Sequence, residues 1–264
     1  MQISRPRLTV ADPSFTTGWE SRHPGIHARV AVVADLHDRP WRAVLDALRQ
    51  EAPDMILIAG DLTESLIPGP EEGLTRPGLA LLPEVVGIAP TFYAYGNHET
   101  GAGHIKLSRT DPLPTEPLTV HPYWREKIRQ SGAVLLDDDW TVFHGMVIGG
   151  LNSGLLNPGR VPVYGWLTDF CRVKGYRILV CHQPEYYDRY LRDYPIDLFV
   201  SGHAHGGQWR LFGRGVFAPD QGLFPKYTGG VHEGRLVISR GLANTAAPIP
   251  RFFNRRELVM MELV

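Results

Sequence analysis

The chain has 264 residues, of which 43% are apolar and 21% charged, with a formal net charge of −1. This composition fits a globular protein with a sizeable core and excludes a general electrostatic attraction to nucleic acid. Two cysteines, Cys171 and Cys181, exclude a disulfide framework and imply free thiols in a reducing compartment.

Residues 1–28 carry few periodic signals and are expected to wrap the surface. Met1 to Trp19 lacks the apolar region of a signal peptide, and no run in the chain approaches the ~18 apolar residues that span a bilayer. A cytoplasmic protein is therefore expected. Arg29 to Ala34 is a β-branched apolar run that reads as a buried strand. It ends in Asp35-Leu36-His37-Asp38. Trp41 to Glu51 has the apolar spacing of an amphipathic helix, stopped by Pro53. Met55 to Ala59 reads as a second strand and ends in Gly60-Asp61-Leu62-Thr63-Glu64. This β–α–β order predicts a parallel pair with both acidic loops at the carboxyl ends, where open α/β sheets place their sites.

After a stretch rich in Pro and Gly, a helix is expected from about Leu79 to Val86. Thr91 to Tyr95 reads as a third strand, ending in Gly96-Asn97-His98-Glu99. Residues 100–122 read as a long loop and Tyr123 to Gln130 as a helix. Val134 to Leu136, Thr141 to Phe143 and Met146 to Ile148 read as successive strands of a meander. An irregular loop, Gly154 to Gly165, leads to a helix from about Tyr164 to Val173. The strand Arg177 to Val180 ends in Cys181-His182-Gln183-Pro184, and a short helix spans Glu185 to Tyr194. The strand before Ser201 ends in Gly202-His203-Ala204-His205-Gly206-Gly207. Gln208 to Phe212, Arg235 to Ser239 and Leu258 to Leu263 read as further strands. Two facing sheets flanked by helices are expected, with more antiparallel pairing in the second half.

Five apolar strands thus end in metal-type ligands: Asp35 and His37, Asp61, Asn97 and His98, His182, then His203 and His205. Each cluster alone has a plain explanation: a cap, a turn pair or a packed histidine. Two histidines at i and i+2 of an extended segment face one way, which suits a metal. Oxygen ligands mixed with imidazoles suit Mn, Fe or Zn.

The ordered motifs Asp35-x-His37, Gly60-Asp61, Gly96-Asn97-His98-Glu99, His182 and Gly202-His203-x-His205 resemble those of the calcineurin-like metallophosphoesterases, over about residues 30–206. Gly202 to Gln208, followed by Ser239-Arg240-Gly241-Leu242, resembles the branch holding YaeI-like bacterial phosphodiesterases and a UDP-diacylglucosamine pyrophosphohydrolase. The resemblance implies a four-layer αββα sandwich, with two facing mixed β-sheets flanked by helices, as a single metallophosphoesterase domain over residues 1–264. It also implies two divalent or trivalent metal ions. One would take Asp35, His37, Asp61 and His205. The other would take Asp61, Asn97, His182 and His203, with Asp61 bridging. His98 would lie beside the scissile phosphate. A metal-bridging hydroxide would attack phosphorus in line, and protonated His98 would donate to the leaving oxygen or stabilise phosphoryl charge. Glu64 and Arg240 are candidates for orienting His98 or touching substrate.

Ser65-Leu66 follows Glu64 where the phosphoprotein phosphatases of this family have Arg-Gly, and Asp38 replaces the glycine after Asp-x-His. Both departures argue against a protein phosphatase. The expected activity is a metal-dependent phosphodiesterase or pyrophosphohydrolase. The alternatives are a phosphomonoesterase, a nuclease or a non-catalytic interaction module; no ligand position is missing, which weighs against the last. Eight basic and two acidic residues occur from Gln208 to Arg256. The substrate implied is a small-molecule phosphodiester or nucleoside-diphosphate compound. No protein partner is implied, no long nucleic acid is favoured, and membrane contact is at most peripheral. Trp209, Phe212, Phe217, Phe224 and Tyr227, among Arg210, Arg214 and Lys226, suit a leaving group that is partly apolar and partly anionic. Of these, Phe212 and Phe217 are expected in the core of antiparallel strands.

Overall fold

Two β-sheets stack face to face in the computed structural model, which describes residues 1–8, 26–70, 75–101, 120–153, 165–243 and 250–264. The strands are β1 (Gln2–Ser4), β2 (Arg7–Leu8), β3 (Ala28–Val33), β4 (Met55–Ala59), β5 (Thr91–Ala94), β6 (Val134–Leu136), β7 (Asp139–Phe143), β8 (Met146–Leu151), β9 (Tyr176–Cys181) and β10 (Leu198–Ser201). Two small hairpins follow, β11 (Arg210–Leu211) with β12 (Arg214–Gly215), and β13 (Phe217–Ala218) with β14 (Gly222–Leu223). The last strands are β15 (Gly230–His232), β16 (Leu236–Ile238) and β17 (Glu257–Leu263). The helices are α1 (Arg42–Glu51), α2 (Leu82–Val86), α3 (Pro122–Gln130) and α4 (Gly165–Arg172).

The first sheet runs β1-β17-β3-β4-β5-β6, with β2 also on β17, and the second runs β15-β16-β10-β9-β8-β7. Both are mixed. β3, β4, β5 and β6 pair in parallel, as do β8, β9, β10 and β16, while β17 on β3, β7 on β8 and β15 on β16 are antiparallel. The central strands are apolar throughout because both of their faces are covered. Alternate residues serve different layers. Val30, Val32, Leu57 and Phe92 face Ile148, Ile178, Val180 and Val200 between the sheets. Ala31, Val33, Ile56 and Ile58 face outward against Leu45 and Leu48 of α1, Val85 of α2 and Ile128 of α3. Leu179 and Phe199 face outward from the second sheet against Leu167 and Phe170 of α4 and Tyr187. The result is four layers, as the motifs implied.

Several local readings change. Residues 2–8 do not merely wrap the surface: β1 and β2 both pair in parallel with β17, extending the first sheet. The expected meander is split, since β6 joins β5 in the first sheet while β7 and β8 form a hairpin in the second. The helix expected over Glu185 to Tyr194 is a single π-type turn, Tyr187–Leu191. Phe212 and Phe217 are not core residues; they are 105% and 48% exposed, because β11 to β14 stand outside both sheets. The loop readings over 102–119 and 154–164 lie outside the described residues. Cys171 and Cys181 are unpaired. No helix among the described residues is long and apolar enough to cross a membrane.

The sheets approach closely at Gly150 of β8. A Cβ there would lie 2.5 Å from Leu136 Cβ and 2.9 Å from Ala94 Cβ in the first sheet. Gly150→Ala is therefore expected to destabilise by about 1–3 kcal/mol through overpacking. That lowers Tm by about 2–4 °C per kcal/mol in a chain of this size. A thermal scan within 1 °C of the parent (roughly the scatter such a comparison carries) would show that the sheets part without strain.

Candidate metal centre

Parallel pairing within each sheet brings the carboxyl ends of β3, β4, β5, β9 and β10 to one edge of the sandwich. Backbone bonds continue the ladders past the last strand residues. Asp35 N–H donates to Gly60 O at 3.1 Å, His37 N–H to Asp61 O at 2.9 Å, and Gly202 N–H to His182 O at 3.0 Å. Two bonds then tie one sheet to the other: His182 Nδ1–H donates to Ala59 O at 2.7 Å, and His203 N–H to Asp35 Oδ1 at 2.9 Å. Asp35, His37, Asp61, His203 and His205 all hold left-handed backbone, with φ of 46° to 63°. Each costs on the order of 1 kcal/mol or more for a residue with a Cβ. Five of the seven predicted ligands therefore sit on strained backbone.

The side chains converge. His37 Nε2 lies 3.3 Å from His205 Nε2 and 3.7 Å from Asp61 Oδ2. His205 Nε2 lies 3.6 Å from Asp35 Oδ1. On the other side, His182 Nε2 is 3.1 Å from Asp61 Oδ2. Donors about 2.1 Å from one shared cation stand about 3.0–3.4 Å from each other, so these spacings suit a cation. Among the described residues, two of the four possible donor groups consist wholly of predicted ligands, Asp35–His37–His205 and Asp61–His182–His203, each with its ligand atoms within 4.8 Å of one another. Asp61 Oδ2 faces a histidine of each group. Asn97 Oδ1 and Asp35 Oδ2 are buried without a hydrogen-bond partner. Buried oxygens in that position call for an electropositive ligand. The donors present, carboxylate, amide oxygen and imidazole, therefore fit a divalent metal.

The charges agree. Burial opposes ionisation of Asp61, but His182, His98 and His37 outweigh it and hold the carboxyl well below its usual range. Burial likewise opposes charge on His182, yet Asp61 and Asp35 raise its ring to about 10. The field that favours a proton at Nε2 favours a metal cation at the same lone pair.

His98 N–H donates to Asp61 Oδ1 at 2.9 Å, which places the ring next to the donors. Its Nδ1 lies 3.0 Å from Glu64 Oε2, while Glu64 Oε1 lies 3.6 Å from His37 Nδ1. Contacts with His37 and His98 hold the Glu64 carboxyl low. His98 is raised to about 9, because Asp61 and Glu64 outweigh its burial. Arg240 Nε lies 3.8 Å from Glu257 Oε1, and its Cγ lies over Gly229.

Three residues in this neighbourhood received no role from the sequence. Arg251 Nη2 lies 3.3 Å from His205 Nδ1, with burial pushing the guanidinium down to about 10. Asp220 Oδ2 accepts from His203 Nε2 at 3.0 Å, which leaves Nδ1 of that ring for the donor group. No sequence signal marks either, since each is set by a loop far along the chain. Glu99 is fully buried and accepts from the N–H groups of Asp61 (2.8 Å), Leu62 (2.5 Å), Thr63 (3.1 Å) and Gly96 (2.8 Å), and from the Tyr93 hydroxyl (2.7 Å). Its place directly after Asn-His was the available signal.

Residues 28–207 match the family described as Calcineurin-like phosphoesterase. The chain is 26% identical over 224 residues to Uncharacterized protein YpbG of Bacillus subtilis (strain 168), covering 82% of this chain and 74% of that one. It is 26% identical over 255 residues to Phosphodiesterase YaeI of Escherichia coli (strain K12), covering 89% and 82%. Among solved structures, a metallophosphoesterase from Sphaerobacter thermophilus aligns over 84% of this chain and 81% of that one, at 17% identity and a TM-score of 0.35.

Glu99→Gln sets an amide NH₂ against backbone N–H donors and orphans at least one of them. Each orphaned group costs about 1–3 kcal/mol. A Tm decrease of at least about 2 °C is expected by thermal denaturation. An unchanged Tm would mean that the loops are held by other contacts.

Proposed function

The chain belongs to the calcineurin-like phosphoesterase family and hydrolyses phosphoester bonds; on that premise we propose that it is a phosphodiesterase or pyrophosphohydrolase working with two metal ions. The observation that carries this reading is the pair of donor groups with Asp61 Oδ2 between them. Asp35, His37, Asp61 and His205 would hold one cation. Asp61, Asn97, His182 and His203 would hold the other, His203 through Nδ1 because Asp220 takes its Nε2. A ligating histidine that donates its far ring N–H to a carboxylate is thereby aimed at its metal. Bound there, the cations would supply Lewis-acid charge for phosphoryl oxygens and acidify water. The mixed oxygen and imidazole set suits Mn, Fe or Zn.

His98 has a different task. Glu64 lies on its Nδ1 side, and Nε2 would be the nitrogen that acts on the substrate. A ring raised to about 9 carries its proton at neutral pH. It would give that proton to the leaving oxygen or steady charge on the phosphoryl group. The E. coli relative is named as a phosphodiesterase, which favours a diester. Substrates would be small-molecule phosphodiesters or nucleoside-diphosphate compounds.

Two variants separate ligand from acid. Asp61→Ala is expected to lose metal from both positions by elemental analysis, together with nearly all activity. His98→Ala is expected to keep its metal while kcat falls by ~10²–10⁴. Full metal in Asp61→Ala would remove it from the shared position, and an emptied site in His98→Ala would make that ring a ligand.

Substrate class is tested directly. With Mn added, bis(p-nitrophenyl) phosphate is expected to show higher kcat/KM than p-nitrophenyl phosphate. The reverse order across several metals would leave a general phosphomonoesterase.

A further inference from the structure

The hairpins β11–β12 and β13–β14 and the segment 250–253 form a lobe beside the metal centre. Trp209 joins its parts: its ring lies 6.2 Å from that of Phe252, and its Nε1–H donates to Pro250 O at 3.0 Å. The lobe continues from the donor set, since Asn254 Nδ2–H donates to His205 O at 2.7 Å. Its apolar side chains face outward. Phe212 is 105% exposed, Phe253 86%, Phe224 76% and Leu223 71%. Phe217 and Leu223 are cross-strand partners and so share a face. Large apolar side chains this exposed are candidates for contact with another surface.

The backbone adds a second, independent sign. Phe212, Phe224 and Phe253 hold φ of 49°, 51° and 53°. Turns of that shape favour Gly or Asn. A phenylalanine there is strained, and an exposed ring gains no packing to offset the strain. Local stability would favour Asn at such positions.

Charge identifies what that is. From Gln208 to Arg256 the chain has eight basic and two acidic residues, against 19 and 26 in the remainder. Both acids are paired, Asp220 with His203 and Glu233 with Arg192, and so are two of the bases, Lys226 with Asp188 and Arg240 with Glu257. Arg214, Arg255 and Arg256 are exposed. Aromatic tips rimmed by arginines match a surface that is apolar beneath and anionic above, which is an anionic phospholipid membrane. We propose that this lobe docks the protein on anionic lipid surfaces, with Phe212, Phe224 and Phe253 entering between headgroups and the neighbouring arginines meeting lipid phosphates. The idea stands apart from the reaction, because binding is read without turnover.

The test is sedimentation of the full chain with phosphatidylcholine vesicles, with and without about 30 mol% phosphatidylglycerol. The chain is expected to pellet with the anionic vesicles and to be released as salt rises to about 0.5 M. The double variant Phe212→Asn, Phe253→Asn is expected to partition at least ten-fold less. Its Tm should equal or exceed the parent's, and its hydrolysis of soluble bis(p-nitrophenyl) phosphate should be unchanged. Failure of the parent to bind anionic vesicles overturns the proposal, as does unchanged binding by the variant. Concentration-dependent self-association of the parent, abolished in the variant without vesicle binding, overturns it in favour of a second copy of the chain.

Discussion

The buried carboxylate of Glu99 is the constraint on which the site depends. It accepts from three consecutive backbone N–H groups after β4 and from Gly96 after β5, with the Tyr93 hydroxyl closing the set. One side chain thereby fixes two ligand-bearing loops against each other. A carboxylate suits this because it offers about four lone-pair positions and no donor of its own. The fit leaves no slack: a Cβ on Gly96 would fall 2.1 Å from Asp61 Oδ1. Gly96 is thus required by the loop that Glu99 holds.

Strain and pairing are divided between parts of the molecule. Five of the seven predicted ligands sit in left-handed backbone, where L residues are disfavoured. The extended ladders and the three apolar layers hold them there, because the strand stems cannot move independently. The result is preorganisation: the strand stems hold imidazoles and carboxylates facing one another, at the expense of local stability. Like the donors, Glu64 serves two partners, reaching His37 and His98 with its two oxygens. Its greater length compared with aspartate is what spans both rings.

Stable layers and the lobe after His205 follow opposite rules. Within the sandwich, apolar side chains are buried and backbone angles are ordinary for strands. In the lobe, phenylalanines point outward from turns that would suit asparagine. The lobe is tied to the donor set where Asn254 Nδ2–H donates to His205 O.

The amino-acid sequence alone determined the strands that end in ligands, their order, and the residues that make up the donor groups. Those signals are local: a β-branched run, a glycine, then an Asp or His. It also determined the layered architecture, since runs such as Met55 to Ala59 are apolar on both faces and demand cover on each. Tertiary structure decided the rest. Whether Val134 to Leu136 joins β5 or the following hairpin depends on strand partners far apart in the chain, and periodicity is silent on partners. The fate of Phe212 and Phe217 was decided the same way, because a hairpin's residues become core only if another layer covers them. Asp220, Arg251 and Glu99 gained their contacts from loops that meet only after both sheets have stacked.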